Sequence, residues 1–304
     1  MNIAVLGPGG VGGLVAGALA REGGPVVVLA RDSTARVIQS QGLRVTSVVL
    51  GDFTAHPHTA ESLEEPVDAL IVATKAAGLA QALERVRSQP RLVLPLLNGL
   101  DHLVTLRERF GDSAVVAGTI RIEADRPEPG VVVHTSQFLR IDMASHDPAM
   151  RAPMEDLATV LSGAGVPARV CESEPQVMWS KLVRLNALAC TTSAFDKLLG
   201  EIRSTPELRS ELVSAIEEGC AVAHAEGAEI PAGDPLGELT AAHDTLGSSM
   251  QRDIAAGRPP ELDAIPGAVL RAAARHGIEC PTIERLVAMI ATRAGVPEPV
   301  VRCS

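Results

Sequence analysis

The apolar and polar positions of the chain follow two different rhythms. Over the first half, short apolar runs of strand length alternate with segments of helical period. Ile3-Ala4-Val5-Leu6 is a continuous apolar run ending in Gly7, the pattern of a strand buried on both faces of a parallel sheet. A helix of small residues follows to about Glu22, Gly23-Gly24 stops it, and Pro25 to Ala30, mostly valine, reads as a second strand. The same alternation places strands at 68–74, 92–97 and 114–122, with helices at 76–87 and 101–110. Two more strands are expected at 130–134 and 138–143, then a helix at 150–161 and a short strand at 168–171. Strands alternating with helices imply a parallel sheet with helices on both faces.

Beyond Pro175 the β-branched runs disappear. Amphipathic segments take over at roughly 175–192, 206–226, 235–256, 261–276 and 281–293, punctuated by Pro206, Gly227, Pro231, Gly257, Pro259, Gly277 and Pro281. The fold class expected is therefore α/β, with a first domain over 1–173 followed by an all-helical domain over 174–304. No internal repeat is visible.

Composition narrows the classes of function. The 304 residues carry 27 Lys+Arg against 37 Asp+Glu, a formal net charge of −10. An acidic chain without a basic run is a poor nucleic-acid binder, because phosphate contacts need clustered cations. No segment approaches the ~18 consecutive apolar residues of a membrane helix. Tyrosine is absent, and four Phe with one Trp leave few rings on which a base or sugar could stack. Cys171, Cys190, Cys220, Cys280 and Cys303 show no C-x-x-C spacing, which fits reduced, mostly buried thiols in a cytoplasmic protein. Val11 to Ala20 could imitate a secretory signal, but Met-Asn-Ile supplies no basic start and glycines interrupt the apolar stretch. The terminal Arg302-Cys303-Ser304 is not an organelle address.

Metal chemistry is not expected. His56-Pro57-His58 has ligand-like spacing but sits in a Pro-broken loop with no third ligand beside it, and His224, His243 and His276 lack consistent partners. Neither a G-x-S-x-G elbow nor a P-loop is present.

Gly7-Pro8-Gly9-Gly10-Val11-Gly12 lies where a dinucleotide site needs it, directly after a buried strand and opening a helix. The first glycine of Gly7-x-Gly9-x-x-Gly12 permits the tight turn, and the second lets backbone approach a pyrophosphate. The third lets the helix pack close, and the helix N-terminus favours the phosphate charge. The second strand ends Leu29-Ala30-Arg31-Asp32-Ser33-Thr34. An acid there would hold the ribose hydroxyls of NAD, whereas an Arg accommodates a 2′-phosphate. Arg31 comes first and favours NADP. Asp32 argues the other way unless it caps the following helix.

Lysine is almost excluded from this chain: Lys75, Lys181 and Lys197 are the only three. Trp179-Ser180-Lys181-Leu182 opens a helix past the expected boundary, and Ser248-Ser249-Met250 is followed by Glu261. Together with the glycine turn, Thr74-Lys75-Ala76 and Leu97-Asn98-Gly99, this set resembles the ketopantoate reductase family, NADPH-dependent 2-dehydropantoate 2-reductases. The resemblance runs from Met1 to about Ile290, and two of the three lysines fall on its two functional lysine positions. It implies a Rossmann-type N-terminal domain, a helical C-terminal domain, NADP as cofactor and a small 2-oxo acid as substrate. By the same resemblance Lys181 is the general acid that protonates the ketone oxygen, and Glu261 is its acidic partner or a holder of substrate hydroxyl. Ser249 binds the substrate carboxylate, and Lys75 and Asn98 stand near the nicotinamide and its ribose.

The chain departs from the family pattern on the Lys181 helix. Members commonly carry Asn four and eight residues after the lysine; here Leu185 and Ala189 stand there, with Asn186 displaced by one. Asn186 is kept as a substrate-binding candidate, although one residue rotates a side chain by ~100°. Three readings follow. The first is an NADPH-dependent 2-dehydropantoate reductase of pantothenate biosynthesis. The second is a homologue acting on a different 2-oxo or 2-hydroxy acid. The third is an NADP-binding regulatory protein, against which Lys181 and Glu261 speak, since a sensor needs neither. A homodimer is the expected assembly.

Overall fold

The computed structural model describes residues 1–301, so Arg302, Cys303 and Ser304 lie outside the described residues. The chain divides into two compact units. Met1–Leu97 and His102–Val177 form the first; Asn98–Asp101 belong with residues 178–301 in the second. A division at 173/174 differs from this in two places: the start of the helical unit, and the four residues after Leu97 that the sequence rhythm assigns to the α/β part.

The first unit runs β1 (Ile3–Leu6), α1 (Gly10–Arg21), β2 (Val26–Leu29), α2 (Asp32–Gln41), β3 (Leu43–Ser47), β4 (Phe53–Ala55), β5 (His58–Ala60), β6 (Ala69–Val72), α3 (Leu79–Leu83) and β7 (Leu92–Pro95). It continues with α4 (His102–Phe110), β8 (Ala117–Arg121), β9 (Ala124–Asp125), β10 (Val131–His134), β11 (Arg140–Ala144), α5 (Arg151–Gly163) and β12 (Ala168–Val170). Five strands pair in parallel in the order β5-β2-β1-β6-β7. Their apolar runs are continuous because both faces are covered. Ile3 and Val5 join Leu14 and Ala18 of α1 in one core, while Ala4 and Leu6 join Leu79, Leu83 and Leu106 of α3 and α4 in another. This is the Rossmann-type sheet that the alternation implied.

The structure corrects several elements. Residues 114–122 do not add a sixth parallel strand: Val115 makes one parallel bridge to Val93, and β8 then pairs antiparallel with β11 in a separate sheet, β12-β11-β8. The helix expected over 76–87 is a 3-10 turn, Ala76–Gly78, plus the short α3. Arg85 and Arg87 instead exchange backbone hydrogen bonds with Leu63. A four-stranded sheet, β4-β3-β10-β9, covers the outer side of α1. His58 opens β5 rather than lying in a loop; it and His56 are exposed.

The second unit contains α6 (Glu174–Phe195), α7 (Leu199–Ser204), α8 (Pro206–Ala225), α9 (Gly233–Ala241), α10 (Ser249–Ala255), α11 (Ala268–His276) and α12 (Pro281–Ala294). α6 begins just before that unit and is its central helix: Val183, Ala187 and Ala189 to Ser193 are all fully buried. The single helix expected over 235–256 is two, because Ser248 turns the chain and caps α10 by accepting from the Gln251 amide at 3.0 Å. The helix expected from 261 starts instead with a widened π turn, Asp263–Gly267. Pro266 inside it has no N–H, and the Gly267 amide reaches back to Leu262 O at 3.1 Å. No helix among the described residues is long and apolar enough to cross a membrane, and none of their His, Cys, Asp and Glu side chains group as a metal site.

Candidate active site and nucleotide turn

In the helical unit, Lys181 lies early in α6 with 9% of its surface exposed. Its Nζ donates to Asn98 Oδ1 at 2.8 Å, and Asn98 Nδ2 donates to Glu261 Oε2 at 2.9 Å. An ammonium can only donate and a carboxylate can only accept, so the amide between them has one workable orientation. The resemblance implied Glu261 as a partner of Lys181 or a holder of substrate hydroxyl. In the structure Asn98 links the two, giving a cation–amide–anion chain.

The local backbone explains why Asn98 is there. Gly99 has φ +85°, and a Cβ on it would lie 1.9 Å from Ala264 O, so the turn after β7 can approach the π turn only as glycine. Leu100 packs on the helical core. Asp101 accepts from Arg271 Nη2 at 2.6 Å, while Arg271 Nη1 holds Asp263 Oδ1 at 2.7 Å and Nη2 holds Asp263 O at 2.8 Å. Arg271 thus ties residues 98–101 to the turn that follows Glu261. The Asn-Gly pair hints at a tight turn; nothing in the sequence marks Arg271 as its clamp.

The other candidates of this unit separate. Ser249 opens α10, half-buried, and its hydroxyl makes no hydrogen bond among the described residues. Its neighbour Ser248 is the buried one, accepting from Thr192 Oγ1 at 2.9 Å. Asn186 is corrected: it is fully buried, takes a hydrogen bond from the Cys190 thiol at 3.5 Å, and its Nδ2 has no partner among the described residues. Five residues carry it ~140° around α6 from Lys181, into the core. Leu185 and Ala189 occupy the Lys181 face instead; Ala189 is buried in the apolar core of this unit, and Leu185 packs against that core, half-buried. Burial pushes the Cys190 thiol far above the ordinary thiol range, as befits a packing residue.

In the first unit, the glycine turn has the geometry its spacing implied. Gly7 adopts φ +93°, and a Cβ at Gly12 would fall 2.2 Å from Gly7 O, so α1 packs against the turn with no room for a side chain. Gly9, the residue before α1, faces open space instead: a Cβ there meets nothing within 4 Å. The first turn of α1 contains no acidic residue, and its leading N–H groups lack intrahelical partners. Pro8 and Val11 flank this cradle, and Gly10 is pressed against Ala124 O of β9. Backbone donors beside a side-chain-free hollow fit a pyrophosphate.

At the end of β2, Arg31 is exposed and its carbonyl accepts the first amides of α2, from Thr34 and Ala35, both at 2.9 Å. Asp32 does not cap that helix. It is its first residue, and both carboxylate oxygens are held by Arg36, at 2.8 and 2.7 Å. Lys75 is exposed, just beyond β6 and before the 3-10 turn.

Comparison with known proteins agrees with this architecture. Residues 3–147 match the family described as Ketopantoate reductase PanE/ApbA, and residues 175–294 match its C-terminal domain. The 2-dehydropantoate 2-reductase of Mycobacterium tuberculosis is 31% identical over 308 residues, covering 97% of this chain and 99% of its own. The crystal structure of 2-dehydropantoate 2-reductase from Geobacter metallireducens superposes with a TM-score of 0.87 at 27% identity, over 96% of this chain and 99% of that one. D-mandelate dehydrogenase with NADH and anilino(oxo)acetate shares the fold, with a TM-score of 0.87 at 22% identity over 98% and 100% of the two chains. The chain belongs to the ketopantoate reductase family, oxidoreductases that use a nicotinamide cofactor and act on CH–OH groups.

Proposed function

We propose that the protein reduces a small 2-oxo acid to the 2-hydroxy acid with NADPH, the substrate being 2-dehydropantoate and the product pantoate. The observation that carries this reading is the Lys181–Asn98–Glu261 chain, a buried cation held ready beside a counter-charge. When bound, the cofactor supplies a hydride to the carbonyl carbon. The chain's own residues do the rest. Lys181 Nζ hydrogen-bonds the carbonyl oxygen, stabilises the negative charge that develops on it and delivers the proton that completes the alcohol. Asn98 fixes the direction of Nζ, and Glu261 offsets its charge. Ser249, with an uncommitted hydroxyl at the start of α10, takes the substrate carboxylate. The Gly7–Gly12 turn holds the pyrophosphate through backbone N–H groups, and Arg31 meets the 2′-phosphate. Asp32 does not compete for a ribose, because Arg36 already binds both its oxygens.

A second reading changes the substrate and not the chemistry. The Lys181 face of α6 continues as the partly exposed Leu185, backed by the buried Ala189, which offers a substrate side chain apolar contact and no hydrogen bond. A plain branched or aryl 2-oxo acid suits that face better than a hydroxylated one. NADPH oxidation measured across 2-dehydropantoate and its unhydroxylated branched and aryl analogues decides between the two. Highest kcat/KM on 2-dehydropantoate supports the first reading, and a preference of tenfold or more for an unhydroxylated acid supports the second. Turnover with none of them overturns both.

A further inference from the structure

Arg85 lies outside every motif that the sequence carries for this chemistry, yet its guanidinium is fixed at the end of β2. Its Nη1 donates to Ala30 O at 3.3 Å and to Glu61 O at 3.0 Å. Ala30 is the residue immediately before Arg31, and the Ala30 amide bonds Ala60 O at 3.2 Å. Arg85 therefore spans the carboxyl ends of β2 and β5, the edge of a parallel sheet where ligands of such folds bind. The departure noted above makes this possible: the chain leaves helical geometry after Leu83 and pairs with Leu63, which aims Arg85 at these two carbonyls.

Charge makes the position unusual. In a chain of net charge −10, the acids on the same segments are mostly spoken for: Asp32 by Arg36, and Glu64 by Arg87 at 3.0 Å and Ser62 at 2.7 Å. Glu61 and Glu84 are exposed. Neither Arg31 nor Arg85 has an ion-pair partner among the described residues, and Nε and Nη2 of Arg85 donate to nothing there. Two uncompensated guanidinium groups thus belong to the end of one strand, beside the N-terminus of the ten-residue helix α2 and the exposed Ser33. Paired arginines with free fork donors suit a phosphate dianion.

We propose that Arg85 is a second binding residue for the 2′-phosphate of NADPH, gripping it opposite Arg31 while its Nη1 stays anchored on Ala30 and Glu61. The assignment rests on the NADPH reading above. It differs from a structural brace in one respect: a brace supports both cofactors alike, whereas a phosphate ligand supports only the phosphorylated one.

The test is calorimetric binding of NADPH, NADH, adenosine 2′,5′-bisphosphate and adenosine 5′-monophosphate to the unmodified protein, Arg85→Ala, Arg85→Lys and Arg31→Ala. Arg85→Ala is expected to weaken NADPH and the bisphosphate about tenfold or more, the scale of one lost charge-assisted hydrogen bond, and to leave NADH and the monophosphate within twofold. Arg85→Lys, which keeps the charge and loses the fork, should fall between. If the unmodified protein prefers NADPH and Arg85→Ala lowers all four ligands equally, or none, Arg85 is only a brace and the proposal is wrong while the NADPH reading stands. If the unmodified protein binds NADPH and NADH equally, the NADPH reading fails and takes this proposal with it.

Discussion

Asn98 is the hinge of the proposed chemistry, and its replacement tests the cation–amide–anion chain link by link. Asn98→Ala removes two hydrogen bonds, 2.8 Å from Lys181 Nζ and 2.9 Å to Glu261 Oε2. Hydrogen bonds to charged groups contribute ~1.5–3 kcal/mol each. Asn98 and Glu261 are half-buried, so water recovers part of the loss, and a net destabilisation of about 2 kcal/mol is expected in urea unfolding. The kinetic effect should be larger, since a proton donor misplaced by about 1 Å loses ~10²-fold in rate. Asn98→Asp separates the two links. A carboxylate can still accept from Lys181 but cannot donate to Glu261, and the two acids then repel at hydrogen-bond distance until one takes up a proton. Its kcat should lie below that of the unmodified enzyme at neutral pH and recover as pH falls, a profile that a packing defect does not produce. Steady-state rates from pH 5 to 9, with NADPH saturating, supply the readout. An Asn98→Asp enzyme with unchanged rate and profile, or an Asn98→Ala enzyme within twofold of normal kcat, would refute the reasoning.

Three further outcomes are expected. Gly99→Ala forces a side chain to φ +85° and to 1.9 Å from Ala264 O; a loss above ~2 kcal/mol in urea unfolding is expected, and a loss under 0.5 would contradict the close approach. Arg31→Ala should weaken NADPH far more than NADH, and equal affinity of the unmodified protein for both cofactors would sink the NADPH reading. His134, buried in β10, bonds Ser47 Oγ through Nδ1 at 2.8 Å and Ser136 Oγ through Nε2 at 3.0 Å. Ser136 spends its own hydrogen on Phe138 O at 2.8 Å, so Nε2 carries the proton and Nδ1 accepts. Burial lowers the His134 pKa below 6.5, more than the nearby Phe138 carbonyl and the charge of Glu123 raise it. The unfolded chain therefore takes up a proton first: stability is full above about pH 6.5 and declines as pH falls toward the folded value, by at most ~1.4 kcal/mol per pH unit. Tm should drop between pH 7 and 5 more steeply in the unmodified protein than in His134→Gln, and parallel curves would contradict this.

What the sequence revealed, and what it hid, follows from the range of the interactions involved. The β1–α1–β2 unit was legible because each of its signals is local: an apolar run, glycines at fixed spacing, a valine strand. The strands β3, β4 and β5 were missed. β4 and β5 have three residues each, too few to show a period, and β3 alternates buried Leu43, Val45 and Ser47 with exposed Arg44 and Thr46 only once its partners are known. The helical half was legible as helical, but its breaks were not. Pro266 sits inside a widened turn instead of ending a helix, and Ser248 is a cap whose partners Thr192 and Ser193 lie far upstream. Lys181 and Glu261 could be named from motifs. Their link through Asn98 could not, because it joins positions separated by 83 and 163 residues. Asn186 shows the opposite failure: the right residue type at an offset of one turns into the core.

The proposed chemistry depends most directly on Lys181. Turnover and NADPH titration should be measured on one folded preparation of Lys181→Ala, with the best substrate of the 2-oxo acid panel. A fall in kcat of ~10²–10⁴-fold, the range of a positioned general acid, with NADPH affinity within twofold of normal, is the predicted result. Near-normal turnover, or a loss of NADPH binding that accounts for the lost rate, would contradict it.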